Sequence, residues 1–251
     1  MVVGLAAARL RPTLHGCSIF VLARARRRGR IRTLFLAPAG LVADHTHMTT
    51  VVPFKARGVR AELREALEQR IPLRIRREQL QPGVIHCYVV ALSREYCLVA
   101  EVGDAIRFDG YVALAIADIS SIEADPSREF VDRALELRGE ALRVPDGFRL
   151  DDWAAIARSA QVCAPLISVN MIEDDEGEIS YVGQLTDVER DALVLRELDP
   201  NAQWYPDTGA YEFEAIGSIG FGSGYLEALW QVAGSPADPL APRAPATDTL
   251  H

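Results

Sequence analysis

Apolar and polar positions change period several times along this chain, and each change marks an element. In VRAELREALEQR, Val59, Leu63, Ala66 and Leu67 fall at helical spacing. A Pro72-Leu73 step follows, then LRIRRE, which alternates as a strand does. Gly83 marks a turn before a longer strand through Tyr88, Val89 and Leu92, and YCLVAEV and LAIADISSI read as further strands. A closing helix is predicted with Phe130, Ala134 and Leu135 on its apolar face. A second series begins at LDDWAAIARSAQV, where Asp151 or Asp152 can cap and Trp153, Ile156, Ala157 and Ala160 share a face. Pro165-Leu166, LISVNM, a turn at Gly177, a long strand through Tyr181, Val182, Leu185 and Thr186, ALVLREL and YEFEAIGSI follow in order. Tyr225, Ala228 and Leu229 are expected to face inward from the last helix.

The two series match in order, which points to an internal duplication spanning Val59–Arg138 and Leu150–Ala233. Ile119, Ser121 and Ile122 align with Ile216, Ser218 and Ile219. The pattern of Gly177, Ile179, Val182, Leu185, Val188, Leu193 and Leu195, closed by Ile216 and Ile219, resembles the Sm-like branch of the small SH3-type barrels. Gly83, Ile85, Val89, Leu92, Leu98, Ile116, Ile119 and Ile122 carry the same pattern in the first series. The resemblance implies a mainly β fold with flanking α-helices (α+β), as two tandem Sm-like/SH3-type small barrels. Members of that fold often bind RNA and often form rings by pairing their last two strands.

The ends differ from this middle. Residues 1–47 are rich in alanine and arginine and have no clear period, which suggests an extension upstream of a true start at Met48 or an arginine-rich arm. Residues 235–251 are rich in proline and alanine and are expected to be a disordered tail. The resulting division is an extension over 1–47, helix–barrel–helix modules over 48–139 and 140–234, and the tail. Residues 1–47 hold eight of the 27 basic residues and one of the 35 acids, so the remainder carries 19 bases against 34 acids. A body this acidic repels phosphate backbones, so nucleic acid is not the expected partner. Cys17, Cys87, Cys97 and Cys163 form no C-x-x-C pair, and reduced thiols in a cytoplasmic protein are the expectation. The apolar run from Cys17 to Ala23 is too short to span a bilayer.

No pattern of acids, nucleophiles or ligands assembles into a catalytic site. His86 is alone within the two series. The acidic run Glu173–Glu178 lacks the ligand spacing of a calcium loop and reads as a solvated hairpin tip. The glycines of GSIGFGSG, residues 217–224, fit neither a dinucleotide nor a nucleoside-triphosphate fingerprint and read as a tight turn into the last helix. Asp109-Gly110 is a good hairpin dipeptide. Two aromatic groups, Phe108 with Tyr111 and Trp204 with Tyr205, fall in matching loops, either as interface anchors or as caps on barrel ends. Arg70, Arg74, Arg76 and Arg77 form the one concentrated basic patch of the body beyond residue 47, fit for an acidic partner or for the acidic second half, with Arg74 and Arg76 on one strand face and Leu73, Ile75 and Arg77 on the other.

The expectation is a non-enzymatic cytosolic binding or adaptor protein with a protein partner, no metal, no cofactor and no membrane attachment. Strand edges offer a route to a homo-oligomer. The alternatives are an Sm-like RNA-binding protein, or a sensor that holds a phosphorylated ligand at residues 217–224.

Overall fold

The computed structural model describes residues 22–27, 30–35, 58–173 and 177–236. Strands β1 (Leu22–Arg27) and β2 (Arg30–Phe35) form an antiparallel hairpin. The rest of the arginine-rich extension, the tail beyond residue 236 and the acidic tip at residues 174–176 lie outside the described residues.

The first long stretch runs α1 (Val59–Gln69), β3 (Pro72–Arg77), β4 (Gln81–Leu92), β5 (Tyr96–Val102), β6 (Phe108–Ala115), a 3-10 turn at Ile116–Asp118, β7 (Ser121–Ala124) and α2 (Arg128–Leu137). The second runs α3 (Trp153–Cys163), β8 (Ile167–Glu173), β9 (Gly177–Val188), β10 (Ala192–Leu198), β11 (Trp204–Glu212), a 3-10 turn at Phe213–Ala215, β12 (Ile216–Phe221) and α4 (Gly224–Ala233). The order of elements is the same in both, and β4 and β9 are each 12 residues long.

All ten of these strands join one antiparallel sheet, in the order β11-β10-β9-β8-β12-β6-β5-β4-β3-β7. In each stretch the last strand lies beside the first: β7 pairs with β3, and β12 with β8. Two closed barrels were the expectation, and the sheet does not close. Instead of meeting β7, β6 turns its outer edge to β12, with Tyr111 opposite Phe221 and Leu114 opposite Ser218. Apolar burial drives this choice: Ala113, Leu114, Ile219 and Phe221 are all buried along the join. Register shifts between Val89 and Ala91 in β4, and between Val194 and Leu195 in β10, relieve the long pairings by local bending.

Helices cover the sheet with the faces their periodicity dictates. Leu63 and Ala66 of α1 pack with Leu73, Ile75, Val89 and Leu114. All four expected positions of α3, Trp153, Ile156, Ala157 and Ala160, are buried in the largest core. The Asp152 carboxylate accepts from the Ala155 amide at 2.7 Å and caps that helix. Asp152→Ala should therefore lower stability by about 1 kcal/mol, read as a shift in the urea midpoint at constant slope.

In the closing helices Leu135 and Leu229 are buried as expected, and the first apolar position of each is displaced by one residue. Val131 and Leu135 of α2 and Leu226 and Leu229 of α4 are buried, whereas Phe130 and Tyr225 point outward at 62% and 54% exposure. A ten-residue helix supports two helical faces almost equally well, and the sheet selects between them. Among the described residues no helix is long and apolar enough to cross a membrane.

Candidate interaction site: the seam and the sheet ends

The residues singled out from sequence do not gather at one place. Phe108 and Tyr111 lie in strand β6, and Trp204 and Tyr205 in strand β11, so neither group is in a loop. Phe108 meets Tyr88 edge-on at 5.8 Å and packs with Val131 and Leu135 of α2. Tyr111 stacks on Phe221 at 5.2 Å, and its hydroxyl donates to the Arg143 carbonyl at 3.1 Å. Phe148 stacks on Phe221 at 5.3 Å, so one ring of β12 is held between an aromatic of β6 and one of the linker. Trp204 donates from its indole N–H to the Gly234 carbonyl at 3.1 Å and meets Trp230 edge-on. Tyr205 is half-buried on the outermost strand.

The basic patch is divided. Strand alternation turns Arg77 inward with Leu73 and Ile75, as the sequence pattern predicts, and its side chain is only 1% exposed. Its guanidinium reaches across to the second stretch. It pairs with Glu178 at 2.9 Å, donates to the Gly217 carbonyl at 2.9 Å, and lies 3.7 Å from Asp118. Glu178 also accepts from the Ser218 hydroxyl, which accepts in turn from Asn170. Burial pushes the Glu178 carboxyl up, while Arg77 and Ser218 act against that rise. Glu178 was expected in a solvated tip; it is turned inward because Arg77 supplies the only nearby full positive charge among its partners here. Arg74 and Arg76 remain on the other face, and both lie against Glu123 of β7, at 3.6 and 3.8 Å.

The glycine-rich stretch also moves. Residues 216–221 form the fully buried strand β12 between β8 and β6, and only Gly222 and Ser223 remain as a turn. A Cβ on Gly217 would overlap the Glu178 carboxylate, and one on Gly220 would meet the Ser168 hydroxyl at 2.6 Å, so close approach accounts for these glycines. Two of the helix amides that could hold an anion are engaged. Gly224 N–H donates to the Asp109 carboxylate at 2.7 Å, and Leu226 N–H to the Ser223 hydroxyl. Asp109-Gly110 is therefore no hairpin turn. The turn is at Gly103–Arg107, where Ile106 adopts a left-handed φ of 51°. Asp109 and Gly110 instead lock β6 to the start of α4.

His86 holds Asp125 through Nδ1 at 2.9 Å on the half-exposed outer face, and among the described residues no group of three or more ligating side chains surrounds a cation site. Cys87 and Cys97 are buried, and burial raises both thiols, Cys97 to about 12, so neither is a thiolate near neutral pH.

Sequence reasoning missed Glu101. It lies on β5 opposite Cys87, and burial, reinforced by the charge of Asp109, lifts its carboxyl to about 7. The folded chain then keeps this proton between pH 4.5 and 7, where the unfolded chain has lost it. Stability contributed below pH 4.5 is lost as pH rises through that window, by about 3 kcal/mol. Urea titrations across that range should show the fall, and Glu101→Gln should flatten it.

Comparison with known proteins finds no matching family model, no matching curated protein and no matching solved structure.

Proposed function

We propose that this chain is a non-catalytic binding or adaptor protein of the cytoplasm, built from two Sm-like modules fused through one strand pairing, and that it takes a protein partner at an open sheet edge. The carrying observation is the β6–β12 join together with the two strands, β7 and β11, left at the ends of the sheet. Numbered within each stretch, the strands run fifth, first, second, third, fourth in both, and the join pairs a fourth strand with a fifth. Pairing of the last two strands is the mode by which Sm-like proteins associate, here used within one chain. An exposed strand presents unpaired main-chain groups that an extended segment can satisfy. The free, buried thiols suit a reducing compartment.

A protein partner is favoured over RNA because the basic patch is committed: Arg77 to Glu178, and Arg74 and Arg76 to Glu123. Cross-linking of the full chain in its native cell is the test, with hydrogen exchange on the recovered complex. The expected result is a protein partner that slows amide exchange in β7 or β11. A gel shift by an RNA pool at low salt, or protection confined to other surfaces, overturns the reading.

A further inference from the structure

The two stretches each place a glutamate at a matching register position. Glu101 of β5 pairs with Cys87, and Glu197 of β10 with Gly183; each partner is the seventh residue of its 12-residue strand. Burial raises both carboxyls. Their surroundings differ. Glu197 accepts from the Tyr211 hydroxyl, which acts against the rise. Glu101 faces a second carboxylate. The register of β5 with β6 shifts between Ala100 and Val102, so Asp109 and Gly110 together stand opposite Glu101, and the charge of Asp109 raises its carboxyl further.

Asp109 is also the residue that ties the two stretches together. Its carboxylate accepts from the amide of Gly224, the first residue of α4, at 2.7 Å. Beside it, Gly110 lies against the Phe221 carbonyl and the Ser223 nitrogen, with 2.6 Å from its Cβ position to each. A movement of Asp109 is therefore felt at the end of β12 and the start of α4. Among the described residues no cation is seen to balance the two acids. From β4 the Cys87 thiol faces Glu101, itself raised by burial. From α1 come Leu63 and Ala66, while Glu62 and Glu65 of that helix lie at the β7 edge and Arg60, Arg64 and Glu68 are exposed. The one charge of α4, Glu227, is exposed. In the Gly103–Arg107 turn Asp104 is exposed and Arg107 pairs with Glu140. His86 is on the opposite face with Asp125.

We propose that Glu101 and Asp109 form a proton-operated latch on the join between the two stretches. With Glu101 protonated, the Asp109 carboxylate holds the Gly224 amide and α4 stays tied to β6. With Glu101 ionised, the two carboxylates repel, Asp109 turns to solvent, and the β12–α4 corner loosens. The sign follows from Glu101. Its folded carboxyl keeps the proton up to about 7, so the latch is closed on the acid side and released as pH rises through neutrality. Glu197 carries no such device, because its neighbour on the next strand is a hydroxyl donor. The latch does not depend on the binding role proposed above, and either can fail without the other.

Heteronuclear NMR of the full chain, titrated from about pH 5 to about pH 8.5, follows the Glu101 carboxyl and the Gly224 amide in one series. Both are expected to move with one midpoint, near 7. The Gly224 proton should shift upfield as its hydrogen bond is lost. After correction for base catalysis, the first-turn amides of α4 should exchange about tenfold faster above the midpoint than below it. In Glu101→Gln the Gly224 amide should stay fixed through that midpoint. In Asp109→Asn, which keeps an acceptor for Gly224, it should also stay fixed, while Glu101 titrates at lower pH. Glu197→Gln should leave both signals as they are in the unaltered chain. A Gly224 amide that stays fixed while Glu101 titrates overturns the latch. So does a Gly224 shift that persists in Glu101→Gln, or a Glu101 midpoint in the ordinary carboxylate range. The unaltered chain alone decides the first and last of these, whatever the fate of the variants.

Discussion

Replacing Arg77 with alanine is expected to lower the unfolding free energy by about 3–5 kcal/mol, enough to leave much of the chain unfolded at physiological temperature. The reason lies more in what is left behind than in what is lost. Glu178 is 11% exposed, and without Arg77 its charge has only the Ser218 hydroxyl against it. The carboxylate must then be protonated, or the strand must move to reach water. The Gly217 carbonyl loses its donor at the same stroke. The pair is not ideally satisfied even when intact, because Arg77 Nε has no hydrogen-bond partner. Arg77→Met combined with Glu178→Leu should therefore recover most of the loss, since two apolar chains remove both desolvated charges. Urea unfolding of the single and double variants gives the comparison. A single variant costing under about 1 kcal/mol would mean that water reaches Glu178 in solution.

Gly110→Ala is the second large effect, at about 3 kcal/mol or more. Gly110 has φ +82°, a region that costs an L-residue about 1–2 kcal/mol. A Cβ there would also stand 2.6 Å from the Phe221 carbonyl oxygen and 2.6 Å from the Ser223 nitrogen, both main-chain atoms that cannot swing away. Gly139→Ala is the matched control, since Gly139 has φ +69° with nothing within 4 Å of its Cβ position. It should cost only about 1–2 kcal/mol. The excess at Gly110 measures overlap at the join, and it should appear in hydrogen exchange as faster opening of β12 and α4 while β3 and β4 stay protected.

Much of the secondary structure was legible because burial follows period. LRIRRE alternates, and β3 buries Leu73, Ile75 and Arg77 on one face. ALVLREL is β10 to the residue. The expected α3 face is buried at every position. Failures cluster where a contact distant in sequence decides the outcome. GSIGFGSG reads as a turn by composition, yet it runs as a strand between β8 and β6, with glycine at the two positions where a Cβ would meet Glu178 or Ser168. Asp109-Gly110 carries the chemistry of a hairpin, but its partners are Gly224 and Phe221. An acidic run gives no sign that one of its members meets an arginine 101 positions earlier in the sequence. Local rules cannot price such approaches, and the join between the halves is made of them.

The same join sets an order of events during synthesis. Asp109 and Gly224, which meet across it, are 115 residues apart, whereas the first five-stranded unit is complete once Ala124 has left the ribosome. Its contacts are short-range, so it can collapse early; the β12 pairing must wait for nearly the whole chain. Throughout that wait the flank of β6, with Tyr111 and Ala113, stands uncovered, and a nascent chain in that state is a template for its neighbours on a polysome. Slower elongation before β12 would lengthen the hazard, and a chaperone that shields β6 would remove it.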